Sequence, residues 1–567
     1  MYALSIIVGL SVGVVAFIIK KSVYFIQLVL TKGFSEDVQN YLYILYPAIG
    51  ITLVTLFIRY LLKQHVGHGI PSVLYAISKT GGVIKRHNLF SSIITSALTV
   101  GFGGSVGLEG PTVATGAAVG SNIGRFFRLN YKQILLLLGC ACSGAMAAIF
   151  KAPITAIVFS LEVIMLDLTM SSLVPLLLAS VSAALTSYLL MGQNVLYPVK
   201  VEGAFLVSDV PFYILLGIFT GIVSAYFTRV YMLVHKVFEK IKVWYVKLLT
   251  GAIILGVLIF FLPSLYGEGY EVINSALNGD FSYLYNNSFF YSFKDNMLVV
   301  LILFIAVIIF KVIATASTFA AGGVGGVFAP SLFLGSNTGL FFGMLLNLFG
   351  ANINVKHFAL AGMTGLIAGV IHAPLTAIFL IAEITGGYVL FMPLMITATI
   401  SYATIKIFEP NSVYTIQLAK RGELMTHDKD KRILKLMKID NLIETNFKTI
   451  GPDKTLGDLV DVISKSTRNI FPVIDEDNNF LGIVFMDHIR HIMFKPELYD
   501  KIYVKDLMFM PSPLIDPSES MEEITRKFHE SGNYNLPVVS KGKYLGFISR
   551  ARVFSEYRKI HKYFSED

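Results

Sequence analysis

Two apolar blocks about 220 residues apart carry the same punctuation: a glycine-rich turn ending in proline, then a second proline that heads a short apolar helix. In the first block GGSVGLEGP runs from Gly103 to Pro111, and KAPITAIVFSLE from Lys151 to Glu162. In the second, GGVGGVFAP runs from Gly322 to Pro330, and HAPLTAIFLIAE from His372 to Glu383. The proline-to-proline separations are 42 and 44 residues, and each Ala-Pro proline stands nine residues before a glutamate. A duplicated, interrupted hydrophobic pattern restricts the fold to two similar halves with broken helices and a binding site at their junction.

Of 567 residues 54% are hydrophobic and 15% charged, which is more apolar surface than a water-soluble fold can hide. Tyr41 to Leu62, Ser172 to Leu190, Pro211 to Val230 and Met297 to Phe319 are each long enough to cross about 30 Å of hydrocarbon. The apolar run Ala3 to Ile19, followed by Lys20 and Lys21, reads as a first membrane helix, not a cleaved leader. Val113 to Ile123, Ile154 to Leu166 and Leu375 to Ile384 are shorter and predict half-helices buried in protein. A helix that begins inside a membrane presents unpaired N–H groups and the positive end of its dipole, which suits an anion. Cys140 and Cys142 fall in an apolar stretch and read as buried small residues, with no metal or disulfide framework. The net charge of +9 does not point to nucleic acid. Basic residues gather at Lys420, Arg421, Lys429, Lys431, Arg432, Lys435 and Lys438, beyond the last apolar run, which by the positive-inside rule puts the tail in the cytoplasm.

That tail contains its own repeat. IGPDKTLGDLVDVI from Ile450 leads to FPVIDEDNNFLGIV from Phe471, and IDPSESMEEITRKF from Ile515 leads to LPVVSKGKYLGFIS from Leu536. Each unit reads as a helix and two short strands, the hydrophobic period changing from about 3.6 to 2. The pattern resembles a tandem pair of CBS domains, here residues 441–497 and 498–562 after a basic linker at 421–440. The resemblance implies an adenine nucleotide site built on a Ser or Thr and an Asp three residues on. The matching pairs are Phe485 with His488 and Ser549 with Arg552, so Ser549 is the one candidate nucleotide ligand and the Asp is missing from both units. A structural or dimer-stabilising role is the other reading.

In the membrane part, GHGIP from Gly67 to Pro71 repeats the logic of the turns before Pro111 and Pro330. Small residues let backbone amides approach an ion, and proline suits the first turn of the helix that follows. Three such turns can replace the hydration shell of a halide. Apart from Glu109 and Glu162 the repeats supply few carboxylates, so no oxygen-rich cation site is expected. With GHGIP, GLEGP at Gly107 to Pro111, GVFAP at Gly326 to Pro330 and Tyr414 in NSVYTI, in this order, the chain resembles the CLC family of chloride channels and chloride/proton antiporters. The resemblance covers residues 1–420, as halves of about 1–195 and 205–420. It implies an all-α multi-pass fold with inverted-topology halves and re-entrant helices, a cytoplasmic α/β CBS pair, a homodimer in an inner or plasma membrane, and no required cofactor.

Carried over residue by residue, the resemblance makes Glu109 the gating and proton-accepting carboxylate. It assigns the anion cradle to Gly67, His68, Gly69, Ile70 and Pro71, to Gly107, Leu108, Gly110 and Pro111, and to Gly326, Val327 and Phe328, with the Tyr414 hydroxyl below. His68 stands where chloride-selective members have serine. Val163 stands where well-studied exchangers have a second, internal glutamate. Asp167, on the same helical face as Val163, is an alternative proton acceptor, and Glu162 and Glu383 read as architectural. Both a passive channel and an antiporter fit these residues, as does, at longer reach, a CBS-regulated carrier of another ion such as nitrate or Mg²⁺. His68 and His372 lack partners at catalytic spacing, so an enzyme is not expected.

Overall fold

The structure is a computed structural model and describes residues 1–31, 44–64, 66–67, 69–164, 170–192, 205–285, 290–293, 296–420, 434, 437 and 439–565. The chain divides into two compact units, Met1–Leu424 and Met425–Asp567.

The first unit is helical. Its first half contains α1 (Tyr2–Thr31), α2 (Tyr46–Leu56, continued by a π turn Phe57–Leu62), α3 (Ile70–Lys79), α4 (Asn88–Gly101), α5 (Glu109–Phe126), α6 (Tyr131–Phe150), α7 (Pro153–Glu162) and α8 (Met170–Met191). The second contains α9 (Val210–Glu239), α10 (Trp244–Phe261), α11 (Tyr270–Leu277), α12 (Met297–Ala320), α13 (Phe328–Leu348), α14 (Val355–Ile371), α15 (Pro374–Ile384) and α16 (Phe391–Phe408), followed by α17 (Ile416–Lys420). Eight of the described helices are long and apolar enough to cross a membrane. Leu249, Ile253 and Val257 form an exposed apolar stripe along α10, the face that a lipid environment would cover.

Packing repeats with an offset of eight helices. α1 packs on α4, α5, α6 and α8 as α9 packs on α12, α13, α14 and α16, and the contacts α5 with α6 and α6 with α7 recur as α13 with α14 and α14 with α15. Across the axis relating the halves, α2 touches α10, α5 touches α13 and α7 touches α15. Glycine pairs at i, i+4 set the closest approaches, since without side chains the backbones can meet. Gly9 and Gly13 on α1 face Ser182 and Thr186 of α8; Gly217 and Gly221 on α9 face Ile400 and Thr404 of α16. A Cβ at Gly9 would lie 2.1 Å from Ser182 Oγ, and one at Gly221 2.5 Å from Thr404 Cβ.

Two expectations are corrected. The segment read as a half-helix over Val113 to Ile123 is an 18-residue helix, α5. Its small and polar residues lowered the apparent apolar length, but protein surrounds it: Gly116 and Gly120 rest against the Ala141 and Leu137 carbonyls of α6. The first helix continues beyond Ile19 for more than two turns, to Thr31. Lys20 does not end it, because its ammonium is turned inward to donate to the Ile149 carbonyl at 2.8 Å.

The second unit repeats with an offset of 65 residues. A helix over Leu456–Ser464 is capped by Thr455 and Asp458, and one over Met521–Ser531 by Ser520 and Glu523. Each precedes an antiparallel pair, β1 (Ile470–Ile474) with β2 (Phe480–Phe485) and β3 (Asn535–Ser540) with β4 (Lys543–Ser549). A parallel bridge closes each, Ile450 to Val473 and Ile515 to Val538. Most of the basic segment at 421–440 lies outside the described residues.

Candidate functional site

The three glycine-proline turns meet. α5 begins at Glu109 and α13 at Phe328, and just ahead of them Gly107 and Gly326 exchange backbone hydrogen bonds of 2.8 and 2.7 Å. The third turn closes on the same point: a Cβ at Gly69 would lie 2.9 Å from Gly110 Cα, and one at Gly110 3.1 Å from Gly326 Cα. Gly69 also has φ +55°, a conformation that favours glycine, and it caps α3 ahead of Ile70 and Pro71. Gly67 lies beside Ser72, whose hydroxyl donates to the Gly69 carbonyl at 2.6 Å. Leu108, Pro111, Val327 and Phe328 are buried at the junction. Three helix starts, each with the positive end of its dipole, thus meet at one buried junction.

The axis is marked by reciprocal bonds. Thr318 Oγ1 accepts the Ser105 amide at 3.2 Å, and Thr99 Oγ1 accepts the Val324 amide at 3.0 Å. Glu162 accepts from the Leu375 and Thr376 amides and the Thr376 hydroxyl, at 3.2, 2.8 and 2.7 Å. Glu383 does the same for Ile154 and Thr155, at 3.1, 2.7 and 2.6 Å. Each of these glutamates therefore caps the Ala-Pro helix of the other half, which is the architectural purpose of their equal spacing.

Glu109 breaks this symmetry, since its counterpart 219 positions on is Phe328. Its side chain is fully buried. Oε1 accepts a hydrogen bond from the Tyr270 hydroxyl, while Oε2 has no hydrogen-bond partner among the described residues. Oε2 sits where only glycine leaves room, 2.1 Å from the place of a Cβ at Gly107 and 3.5 Å from that at Gly326. The Glu109 carboxyl group thus lies at the junction of the α5 and α13 starts, where helix dipoles favour negative charge. Tyr414 is buried within electrostatic reach of Glu109, and its hydroxyl likewise lacks a partner among the described residues. The Phe328 ring packs on Phe150 with centroids 5.2 Å apart. Val163, at the end of α7, is a buried apolar residue and holds no proton. His68 and Asp167 lie outside the described residues, and His372 ends α14 with φ +61°, its ring edge-on to Tyr402.

The expectation that the site has few carboxylates is incomplete. Glu268, from the turn before α11, accepts the Leu108 amide at 3.1 Å. Two cations accompany it from the membrane helices: Lys20 on α1, and fully buried Lys311 on α12, whose ammonium donates to the Gly267 carbonyl at 3.2 Å and lies 4.5 Å from the Phe333 ring centroid. Lys311 was visible in the sequence as a lone charge inside IIFKVIA, which marks function or pairing in a membrane helix. Glu268 and Tyr270 carried no such signal, because they lie on a turn.

In the second unit the Ser549 hydroxyl donates to Glu444, whose other oxygen accepts from Arg468 at 2.6 Å. The Arg468 guanidinium lies 4.7 Å from the Phe447 ring centroid, so Ser549 belongs to a network that is already paired.

The profile of the voltage-gated chloride channel family matches residues 50–406, and that of the CBS domain matches residues 439–495 and 504–559. The H(+)/Cl(-) exchange transporter ClcA of Vibrio cholerae is 28% identical over 410 residues, which is 70% of this chain and 84% of that protein. Among solved structures, a slow cyanobacterial Cl⁻/H⁺ antiporter superimposes with a TM-score of 0.63 at 22% identity, covering 74% of this chain and 97% of its own. A eukaryotic CLC transporter superimposes with a TM-score of 0.62 at 19% identity, covering 97% of each chain. The likeness to the eukaryotic transporter spans both units.

Proposed function

The chain belongs to the voltage-gated chloride channel family, and on that premise we propose that it carries chloride across a membrane in exchange for protons, with Glu109 as the carboxylate that fills and vacates the anion site. The observation that carries this reading is the placement of Glu109 Oε2 between Gly107 and Gly326, where the α5 and α13 amides converge. An anion entering that volume competes with the carboxylate for the same partial positive charges. Protonation of Glu109 removes the competition: the neutral acid is a weaker acceptor, and the side chain can leave with its proton. Anion entry and proton uptake are then coupled through one group. The buried Tyr414 hydroxyl is a donor available to the anion from the far side of the cradle, and His68 a further ligand in the GHGIP turn.

The exchange transporter from Vibrio cholerae supports coupling to protons. Passive conduction is the second reading, favoured by Val163, which offers no titratable group at the position where exchangers keep an internal glutamate. We further read the protein as a homodimer in an inner or plasma membrane with the CBS pair on the cytoplasmic side, in line with the basic residues after α17. No cofactor is needed for this chemistry. The CBS pair acts structurally in this reading, with Ser549 held by Glu444 and not by a nucleotide.

The test is the reversal potential of purified protein in a planar bilayer under a fixed chloride gradient and a varied pH gradient. Exchange shifts it with the pH gradient; conduction leaves it at the chloride equilibrium potential. Glu109→Gln should abolish the shift while anion flux persists, and coupling retained in that variant would overturn the assignment.

A further inference from the structure

Two carboxylates claim the start of α5, and they come from different parts of the chain. Glu109 is carried by the helix itself. Glu268 reaches it from the turn Tyr266 to Tyr270, which is fastened to the site in three places. The Gly267 amide donates to the Gly103 carbonyl at 3.1 Å, the Ser105 hydroxyl to the Leu265 carbonyl at 2.8 Å, and the Lys311 ammonium to the Gly267 carbonyl at 3.2 Å. Gly267 and Gly269 have φ of +66° and +90°, which lets the chain reverse on either side of Glu268. The result is that Glu268 Oε1 lies 3.1 Å from the Leu108 nitrogen while the Tyr270 hydroxyl, two residues on, holds Glu109.

Leu108 is the N-cap residue of α5, and its amide is one of the groups that give a helix start its affinity for anions. We propose that Glu268 is a second gating carboxylate: it occupies the Leu108 amide until a proton neutralises it, and so adds to anion movement a pH dependence separate from that of Glu109. This rests on the transport reading above. Glu109 is fully buried, whereas Glu268 is half-buried on the turn before α11. The charged groups facing Glu268 are Glu109 from α5, Lys20 from α1 and Lys311 from α12. When ionised, Glu268 makes a charge-assisted bond to the amide; when protonated it accepts far less strongly and releases that amide to an incoming anion. The unpartnered Oε2 of Glu109 marks where such an anion would lie.

The experiment is initial chloride efflux from proteoliposomes between about pH 5 and pH 10, a window that spans carboxyl titration in buried surroundings. It compares wild type, Glu109→Gln, Glu268→Gln and the double variant. With Glu109 neutralised, a rise in flux of about fivefold on acidification should remain, the ratio expected when a charge-assisted bond becomes a neutral one. The double variant should be flat, at the acid-side rate of Glu109→Gln. A flat profile for Glu109→Gln overturns the proposal without any change at Glu268, and so does a double variant that keeps the slope. Should Glu268→Gln not insert, Glu109→Gln/Glu268→Asp must shift the midpoint, since the shorter carboxylate cannot hold the same amide. Absence of chloride flux in the wild type would overturn the proposed function, and this inference with it.

Discussion

Glu162 and Glu383 allow a test of whether the two halves hold each other together. Each carboxylate accepts two backbone amides and one threonine hydroxyl at the start of the opposite Ala-Pro helix, with distances from 2.6 to 3.2 Å. Replacing Glu162 by Ala leaves those donors unpaired at a partly buried helix start. Losing the cap costs about 0.5–2 kcal/mol, and the further unpaired donors raise the total to about 2–4 kcal/mol. By symmetry Glu383→Ala should cost a similar amount. The sharper prediction concerns coupling. In equilibrium unfolding in mixed detergent micelles, Glu162→Ala and Thr376→Val should show a coupling energy of about 1 kcal/mol, after allowance for partial exposure. Glu162→Ala and Thr155→Val should instead add, although Thr155 lies on the same helix as Glu162, because Thr155 is bonded to Glu383. Coupling within the helix and additivity across the halves would refute the reciprocal capping.

Three more outcomes follow from the geometry. Gly107→Ala would place a Cβ 2.1 Å from Glu109 Oε2, so it should expel the carboxylate and flatten the pH profile of chloride flux toward that of Glu109→Gln; an unchanged profile would mean that the carboxylate does not rest there. Gly13→Leu should part α1 from α8, where a Cβ already meets Thr186 at 2.6 Å, and cost roughly 1–3 kcal/mol or prevent assembly, read as loss of monodisperse protein on gel filtration. In the second unit the Asn479 side chain, and then its backbone amide, hold the half-buried Asp475 carboxyl below the usual aspartate range. A carboxyl depressed on folding stabilises above its unfolded pKa of about 3.9 and loses that contribution as pH falls through the folded value. Asp475→Asn should therefore reduce the acid sensitivity of that unit's melting below about pH 4, with little effect at neutral pH; equal acid sensitivity would contradict it.

Much of this molecule was written into local sequence. The paired turns and Ala-Pro helices disclosed two halves because backbone conformation at Gly and Pro is a local property, and the C-terminal repeat showed itself through helix and strand periodicity. Glu109 was legible as a lone carboxylate between glycines. The length of α5 was not: its residues are small and polar, and a helix wrapped by protein on all sides has no need of an apolar stripe. Equal spacing suggested an architectural purpose for Glu162 and Glu383, but not that each would cap the other half.

The assembly of the charge network behind the site belongs to the tertiary structure, although Lys311 alone stood out in the sequence. Lys20, Glu268 and Lys311 come from α1, a turn and α12, with Lys20 248 residues before Glu268 and Glu268 43 before Lys311. Sequence alone determined that this chain enters a membrane, duplicates its halves and starts helices at glycine-proline turns. Which charges stand beside those starts was decided by packing, because electrostatic interaction depends on distance in space and local dielectric, and neither is encoded in spacing along the chain.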